Sequence, residues 1–478
     1  MSDLQNNKKV KELQNEKLSF SQNLIFALQH LLIMVAGAIT VPLIIGSAGG
    51  LDHSQMAYLV SCALLAGGIA TSIESFGLTK FLGVRLPIVS ATSFAAVATL
   101  TAIISEYKYT DPVLGLQVIA SGVIGAGIFC FLFAGVWSKM LRFFPKVVTG
   151  TVITVIGLAL FPIGIKWITG GVKLADGAKI VDIIKPEYSE YAHNVVLMGI
   201  PDTKTLIIAG LVLLVTLVLF KLLKGIWSSL AILFGLGFGV ILACMMGVTD
   251  FSQVSNASLV GYVVPFHFGF PVFEIGAIIS ITVIMLVLMT EATGNFMAVS
   301  NIIGKDISDK ELARGLRSSG FSTIISGCIY SYPVTPFGQN VGLVGLSGIK
   351  SRFVTATTGV MLIILAFFPK MAVMITAIPQ SVLGGVSFAM FGVVAVGGIR
   401  TLGKVDYEGN KNNIIVAVSI GLSLIPTVAP LFFHSLSKGA QNFLHSGITI
   451  GCISAIVLNI FFNELKFFNK NSKERGNS

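Results

Sequence analysis

Fourteen apolar stretches, each near the length needed to cross a membrane and separated by short polar punctuation, occupy most of this chain. They fall near 24–46, 56–76, 87–104, 115–136, 146–165, 205–221 and 226–247. A second set lies near 273–298, 315–331, 338–349, 354–376, 380–399, 413–432 and 443–462. About 20 mostly apolar residues cross a hydrocarbon core of roughly 30 Å, so an all-α membrane protein is expected. Surface chemistry excludes a water-soluble fold. Only 11% of the residues are charged against 54% hydrophobic, about half the charge of a soluble domain. Residues 1–20, with Lys8, Lys9, Lys11 and Lys17, are polar and run into the first stretch without a small-residue cleavage site. A tail is expected there, not a cleaved signal peptide.

The basic residues test the count. With the N-terminus inside, 24 of the 32 Lys and Arg fall on cytoplasmic segments. The other eight lie outside, mostly in or beside one long loop at about 166–204 that also carries Asp176, Asp182, Glu187 and Glu190. Losing or gaining one span would invert every later loop and destroy this asymmetry. The formal charge of +10 is thus explained by cytoplasmic loops and does not imply nucleic acid as a partner. An odd set of seven makes the second set enter the membrane upside down. The third span of each set is unusual: one contains Pro87, Ser90, Thr92 and Ser93, the other follows Pro333, Thr335, Pro336 and Gly338. Paired interruptions in inverted halves point to a transporter's binding site, because broken backbone at membrane depth is tolerated only where it lines a cavity or meets a ligand.

Polar side chains inside spans are costly and therefore informative. Glu291 follows nearly three apolar turns, with Asn295 four residues on and so on the same helical face; the competing reading is a structural carboxyl bonded to a neighbouring helix. Gln339 and Asn340 stand at the mouth of the short tenth helix, where amides and free backbone N–H groups match the edge of a heterocyclic base. Asn340 also suits a helix cap. Phe94, in the matching broken span, is placed either to stack on a flat ring or simply to pack. Gln29 and His30 lie within the first span; His30 suits proton transfer or a satisfied buried imidazole. Glu74, near the inner end of the second span, is within reach of the interface and is assigned no role.

There is no GxxxxGK[ST], HExxH or serine-elbow motif, so neither ATP hydrolysis by a Walker site nor membrane proteolysis is expected. Cys62, Cys130, Cys244, Cys328 and Cys452 are scattered singly in apolar stretches. Neither a metal site nor any cofactor is expected.

The run PFGQNVGLVGLSGIKSR resembles the signature of the nucleobase–ascorbate transporter (nucleobase:cation symporter-2) family, roughly Q/E-N-x-G-x-x-x-x-T-R/K/G. Gln339, Asn340, Gly342, Ser347 and Gly348 fill it, with Ser347 in place of the usual threonine. Gln29-His30, ATSFAAV, the ATGNF segment and PKMAVMITAIPQSVLGG match as well, and the resemblance spans about 20–465, nearest to bacterial xanthine and uric acid permeases. It implies a 7+7 inverted repeat with short strands in spans 3 and 10. It also implies a core domain of spans 1–4 and 8–11 (21–136 and 251–378) and a gate domain of spans 5–7 and 12–14 (137–250 and 379–465). Cytoplasmic tails at 1–20 and 466–478 complete the plan. Glu291 would bind the base, Gln339 would recognise it and Phe94 would stack on it, with Asn340 beside them. His30, Gln29 and Asn295 would support the site or couple protons. Glutamine at position 339 goes with purines and glutamate with uracil, so xanthine or uric acid uptake is expected, with a uracil permease or an anion exchanger as alternatives. Proton symport, a homodimer and a multi-pass location in the cell membrane, both termini cytoplasmic, follow from the same resemblance. One departure stands out: relatives carry an aspartate where this chain has Ser319, which leaves the coupling ion open.

Overall fold

The computed structural model describes residues 14–169, 201–249, 251–429 and 446–465, with isolated positions 432, 433, 435, 436 and 444. Both predicted tails, apart from the residues next to the first and last spans, and most of the long outer loop lie outside the described residues.

Each apolar stretch is a helical passage. In order they are Phe20–Ala38 with Thr40–Gly49 (span 1), His53–Phe76 (span 2), Val97–Tyr107 (span 3), Pro112–Phe133 (span 4), Lys146–Thr169 (span 5), Thr203–Leu222 (span 6) and Ala231–Met245 (span 7). Then come Ile275–Ile303 (span 8), Asp309–Cys328 (span 9), Gly338–Ser347 (span 10), Arg352–Ala366 with Pro369–Thr376 (span 11), Gln380–Leu402 (span 12), Lys411–Val428 (span 13) and Gly447–Asn459 running into Ile460–Glu464 (span 14). Among the described residues nine helices are long and apolar enough to cross a membrane alone, and span 11 makes a tenth if its two pieces, bent by 83°, count as one. The bend falls at Pro369, which starts the second piece and has no N–H to continue the first. Spans 3, 7 and 10 are short. Span 9 carries Ser318, Ser319, Ser322, Thr323 and Ser326, all buried against protein, so low hydropathy does not bar it from the membrane.

Local sequence sets the ends. Asp52 and Gln55 form a reciprocal cap on span 2, Ser308 and Glu311 do the same for span 9, and Asp111 followed by Pro112 opens span 4.

The inverted repeat is visible in the packing. Replacing each span by the one seven places away turns the 2–11 contact into 9–4, 1–11 into 8–4, 6–7 into 13–14 and 6–12 into 13–5, and all of these contacts exist. The 5–12 contact is its own image. Glycines make matching crossings: a Cβ on Gly68 of span 2 would lie 2.8 Å from the Gly359 carbonyl of span 11, and one on Gly127 of span 4 would lie 2.9 Å from the Gly320 carbonyl of span 9. Small residues at such crossings let backbones approach where lipid supplies no hydrophobic drive. Spans 6 and 13, also repeat partners, are the least covered by protein, with 22% and 17% of their apolar windows buried. Both face lipid.

Candidate functional site

Spans 3 and 10 meet as the interruptions predicted. Strand β1 (Ser90–Thr92) pairs antiparallel with β2 (Val334–Pro336), Ser90 opposite Pro336 and Thr92 opposite Val334. The Ser93 N–H donates to the Pro333 carbonyl at 2.9 Å and the Phe337 N–H to the Val89 carbonyl at 2.8 Å, extending the ladder at both ends. Proline accounts for the extended backbone, since residues before Pro333 and Pro336 are pushed out of helical conformation. A strand pair inside a membrane protein must still satisfy its outer edges. Hydroxyls do this from repeat-related helices. On span 2, Thr71 Oγ1 accepts from the Ser90 N–H at 2.9 Å and donates to its carbonyl at 3.1 Å; on span 9, Thr323 Oγ1 accepts from the Val334 N–H at 3.3 Å. Each strand runs straight into a helix, so two helix N-termini, with their unpaired amides and positive dipole ends, converge at the strand pair.

Beside this junction lies a cavity of about 260 Å³ with walls from spans 1, 3, 6, 7, 10 and 12. Leu32, Ile33, Phe94, Phe220, Phe337 and Met390 are among its walls, and among the described residues Gln339 is the one polar side chain that lines it. Gln339 is exposed in this chain and has no hydrogen-bond partner among the described residues. Phe94 is 9% exposed and meets Phe391 of span 12 edge-on at 6.4 Å between ring centres. Gly37 of span 1 leaves room for the Phe337 ring, whose Cζ would be 2.4 Å from a Cβ there.

The remaining predicted residues fall around the junction in different ways. Asn295 Nδ2 donates to the Pro336 carbonyl at 2.8 Å, fastening span 8 to β2. Glu291, one turn earlier, is half-buried, and no hydrogen bond or ion pair reaches its carboxyl among the described residues. It does not line the cavity, although a Cβ on neighbouring Gly294 would meet nothing within 4 Å. Asn340 is not a helix cap. Buried at 1% exposure, its Nδ2 donates to the His30 carbonyl at 2.9 Å and to His30 Nδ1 at 3.0 Å. One amide nitrogen with two hydrogens serves both bonds, so Nδ1 is the acceptor and the imidazole carries its proton on Nε2. The Asn340 Oδ1 and Gln29 Oε1 atoms are buried without partners. Phe94 and Gln339 therefore share one cavity, Asn295 braces its strand and the His30–Asn340 pair braces its short helix.

Comparison with known proteins identifies the lineage. The model of the Permease family matches residues 21–432. The chain belongs to this family, the nucleobase:cation symporter-2 permeases. This permease is 38% identical over 447 residues to the uric acid transporter UacT of Escherichia coli, covering 93% of this chain and 87% of that one. To the xanthine permease of Bacillus subtilis it is 36% identical over 444 residues, covering 93% and 94%. Two solved structures share the fold of the permease: the transmembrane domain of a cyanobacterial bicarbonate transporter (TM-score 0.56, 16% identity, 94% of this chain and 100% of that one) and the murine anion transporter Solute Carrier 26 member A9 (TM-score 0.57, 14% identity, 93% and 69%).

Three side chains of the permease gain roles that sequence reasoning did not assign. Glu74 does not reach the interface: it is 1% exposed, and its oxygens accept from the Val84 N–H at 3.2 Å and the Ser319 hydroxyl at 3.3 Å. The loop after span 2 folds back over it, which the glycines at 77 and 83 could have signalled. Arg352, at the end of the family motif, donates to the carbonyls of Ser75 and Phe76 at 2.8 Å each and so closes the C-terminus of span 2. Trp137 Nε1 donates to Thr293 Oγ1 at 3.1 Å, holding span 8 two residues from Glu291.

Proposed function

We propose that this permease carries a purine base, xanthine or uric acid, across the cell membrane by alternating access. The observation that carries the reading is the cavity: apolar and aromatic walls with a single uncharged amide, Gln339, reaching in beside Phe94. A flat ring with alternating C=O and N–H groups suits that set, with Phe94 covering a face and Gln339 reading an edge. Glu291 stands outside the cavity walls in this conformation, so to act as the acceptor for a ring N–H it has to meet the base as the core moves; its carboxyl has no hydrogen bond or ion pair among the described residues. Names of the relatives support the substrate class, since they are called uric acid and xanthine transporters. Anion exchange fits less well, because no Lys or Arg lines the cavity.

Spans 1–4 with 8–11 form the moving core and spans 5–7 with 12–14 the gate. Support comes from the packing, which is heaviest within those sets, and from the cavity, whose walls come from spans 1, 3 and 10 on one side and 6, 7 and 12 on the other. Proton symport, a homodimer and cytoplasmic termini belong to the same reading and rest on the family resemblance and on the basic loops.

The test is uptake of labelled xanthine into cells expressing the chain, with urate, guanine, hypoxanthine and uracil as competitors. Urate or another purine should compete and uracil should not. Glu291→Gln should abolish uptake while leaving membrane insertion intact; unchanged uptake by that variant overturns the site.

A further inference from the structure

Span 2 ends at a buried carboxyl, Glu74, that the substrate site does not use. Glu74 Oε2 accepts the Val84 N–H at 3.2 Å, and Oε1 accepts the Ser319 hydroxyl at 3.3 Å. The Val84 amide meets one oxygen and the Ser319 hydroxyl the other, and among the described residues no Lys or Arg forms an ion pair with the carboxyl. Its neighbours come from spans 9 and 4 and from the covering loop. From span 9 come Ser318 and Ser319; from span 4 comes the buried thiol Cys130, which donates to the Leu316 carbonyl at 3.3 Å. The Arg85 guanidinium is held at the Gly77 carbonyl, 3.4 Å away, and the Arg352 guanidinium at the carbonyls of Ser75 and Phe76. Lys80 is exposed on the covering loop. An uncompensated charge in such a place is costly, so the group gains from taking up a proton.

The contacts around Glu74 accommodate both states. Ser319 Oγ lies 3.3 Å from Glu74 Oε1 and 3.4 Å from the Gly315 carbonyl. With Glu74 ionised, the hydroxyl donates to it. When a proton binds to Oε1, the hydroxyl turns to donate to Gly315 and accepts the new O–H. No other atom has to move. A structural carboxyl needs only one state, whereas a hydroxyl with two acceptors at equal reach serves two.

The cover is a loop rather than a helix. Gly77 (φ 69°) and Gly83 (φ 93°) sit back to back, with a Cβ on Gly83 only 2.2 Å from Gly77 Cα, a turn that other residues cannot make. The Gly83 N–H donates to Ser318 Oγ at 2.5 Å, and Leu78 and Phe81 are 64% and 68% exposed on its outer side. On the same helix as Glu74, Thr71, one turn earlier, grips Ser90; Ser90 pairs with Pro336; and the Pro336 carbonyl holds Asn295. Span 2 therefore carries both Glu74 and the grip on the strand pair beside the cavity, and a packed element of this kind can carry coupling between two sites.

We propose that Glu74, with Ser319 as its reversible partner, is the proton-carrying site that couples this permease to a proton gradient, the carboxyl being supplied from span 2 across from Ser319. The inference rests on the purine reading above, and one experiment separates the two. Purified protein in proteoliposomes is assayed for xanthine counterflow, which needs no net proton movement, and for accumulation under an inward proton gradient. A one-unit gradient supports at most about tenfold accumulation with one proton per base. The parent should show both activities. Glu74→Gln should keep counterflow and lose accumulation, its internal-to-external ratio falling to about one, while Glu74→Asp restores it. Ser319→Ala should retain uptake with a displaced pH midpoint.

A parent that exchanges no purine refutes the substrate reading. A parent that exchanges xanthine but ignores the gradient refutes the coupling proposal alone. The proposal is also overturned if Glu74→Gln accumulates as the parent does, or if the folded variant loses counterflow as well. Should Glu74→Gln not fold, Ser319→Ala decides: an unmoved pH profile overturns the assignment.

Discussion

The His30–Asn340 pair makes the sharpest quantitative demand. Asn340 is the second residue of the family motif and was expected to touch the base, yet its Nδ2 is spent on two acceptors of His30, at 2.9 and 3.0 Å, with the side chain at 1% exposure. Asn340→Ala deletes both bonds and strands one buried acceptor, His30 Nδ1, at a cost of roughly 1–3 kcal/mol, while the His30 carbonyl keeps its place in the helix Phe20–Ala38. A loss of about 1–3 kcal/mol is therefore expected. Asn340→Asp leaves one contact, since the imidazole can move its proton to Nδ1 and meet the carboxylate while the His30 carbonyl faces a second acceptor, so it should also destabilise. The assay is reversible unfolding by sodium dodecyl sulfate in mixed micelles, run beside xanthine uptake. A brace predicts that stability and uptake fall together; a direct contact predicts a raised Michaelis constant with stability intact. Asn340→Ala within about 0.5 kcal/mol of the parent would refute the brace.

The glycine crossings should respond as a symmetric pair: Gly127→Leu and Gly68→Leu each force apart helices whose backbones lie within 3 Å of the added carbon. Each should cost about 1–3 kcal/mol or more, and a stable, active variant at either position would contradict the packing. Thr71→Val removes both hydroxyl bonds to Ser90; it should lower xanthine affinity and destabilise by roughly 1–3 kcal/mol, read by the same unfolding and uptake assays. Gln339→Glu puts a charge into an otherwise uncharged cavity and should weaken purine competition, with uracil gaining; an unchanged competition panel would remove Gln339 from recognition. Glu311 lies in the first turn of the span 9 helix, ahead of the apolar stretch near 315–331 and so outside the membrane. Burial alone would raise its carboxyl, but Lys305 at 2.7 Å and the Ser308 amide outweigh it and hold it below its ordinary value. Its contribution to stability is thus present above the unfolded carboxylate range and lost as pH falls through the folded value, so Glu311→Gln should flatten the acid limb of an unfolding-versus-pH curve.

What could be read along the chain was whatever depends on neighbours in sequence. Apolar length marks a span, proline marks an extended residue before it, and paired interruptions seven spans apart mark the strand junction; all three needed only local rules. The site could be read only in outline. Motif position put Gln339 and Phe94 in one cavity, but the same reasoning gave Asn340 a ligand and missed its brace, because His30 lies 310 residues away. Glu74 shows the same limit more strongly. Hydropathy places a carboxyl near a helix end at the interface, where it would be solvated and unimportant. Whether it is buried depends on a loop that folds back and on Ser319, 245 residues distant. Polar residues in span 9 lowered its apolar score for the same reason: Ser318 meets the loop after span 2, Ser319 meets Glu74 of span 2 and Thr323 meets strand β2. In a membrane fold the polar atoms are the ones whose partners are far off in sequence, since burial without a partner is what the bilayer forbids. Sequence can therefore say that such residues must be satisfied, and only the packing says by whom.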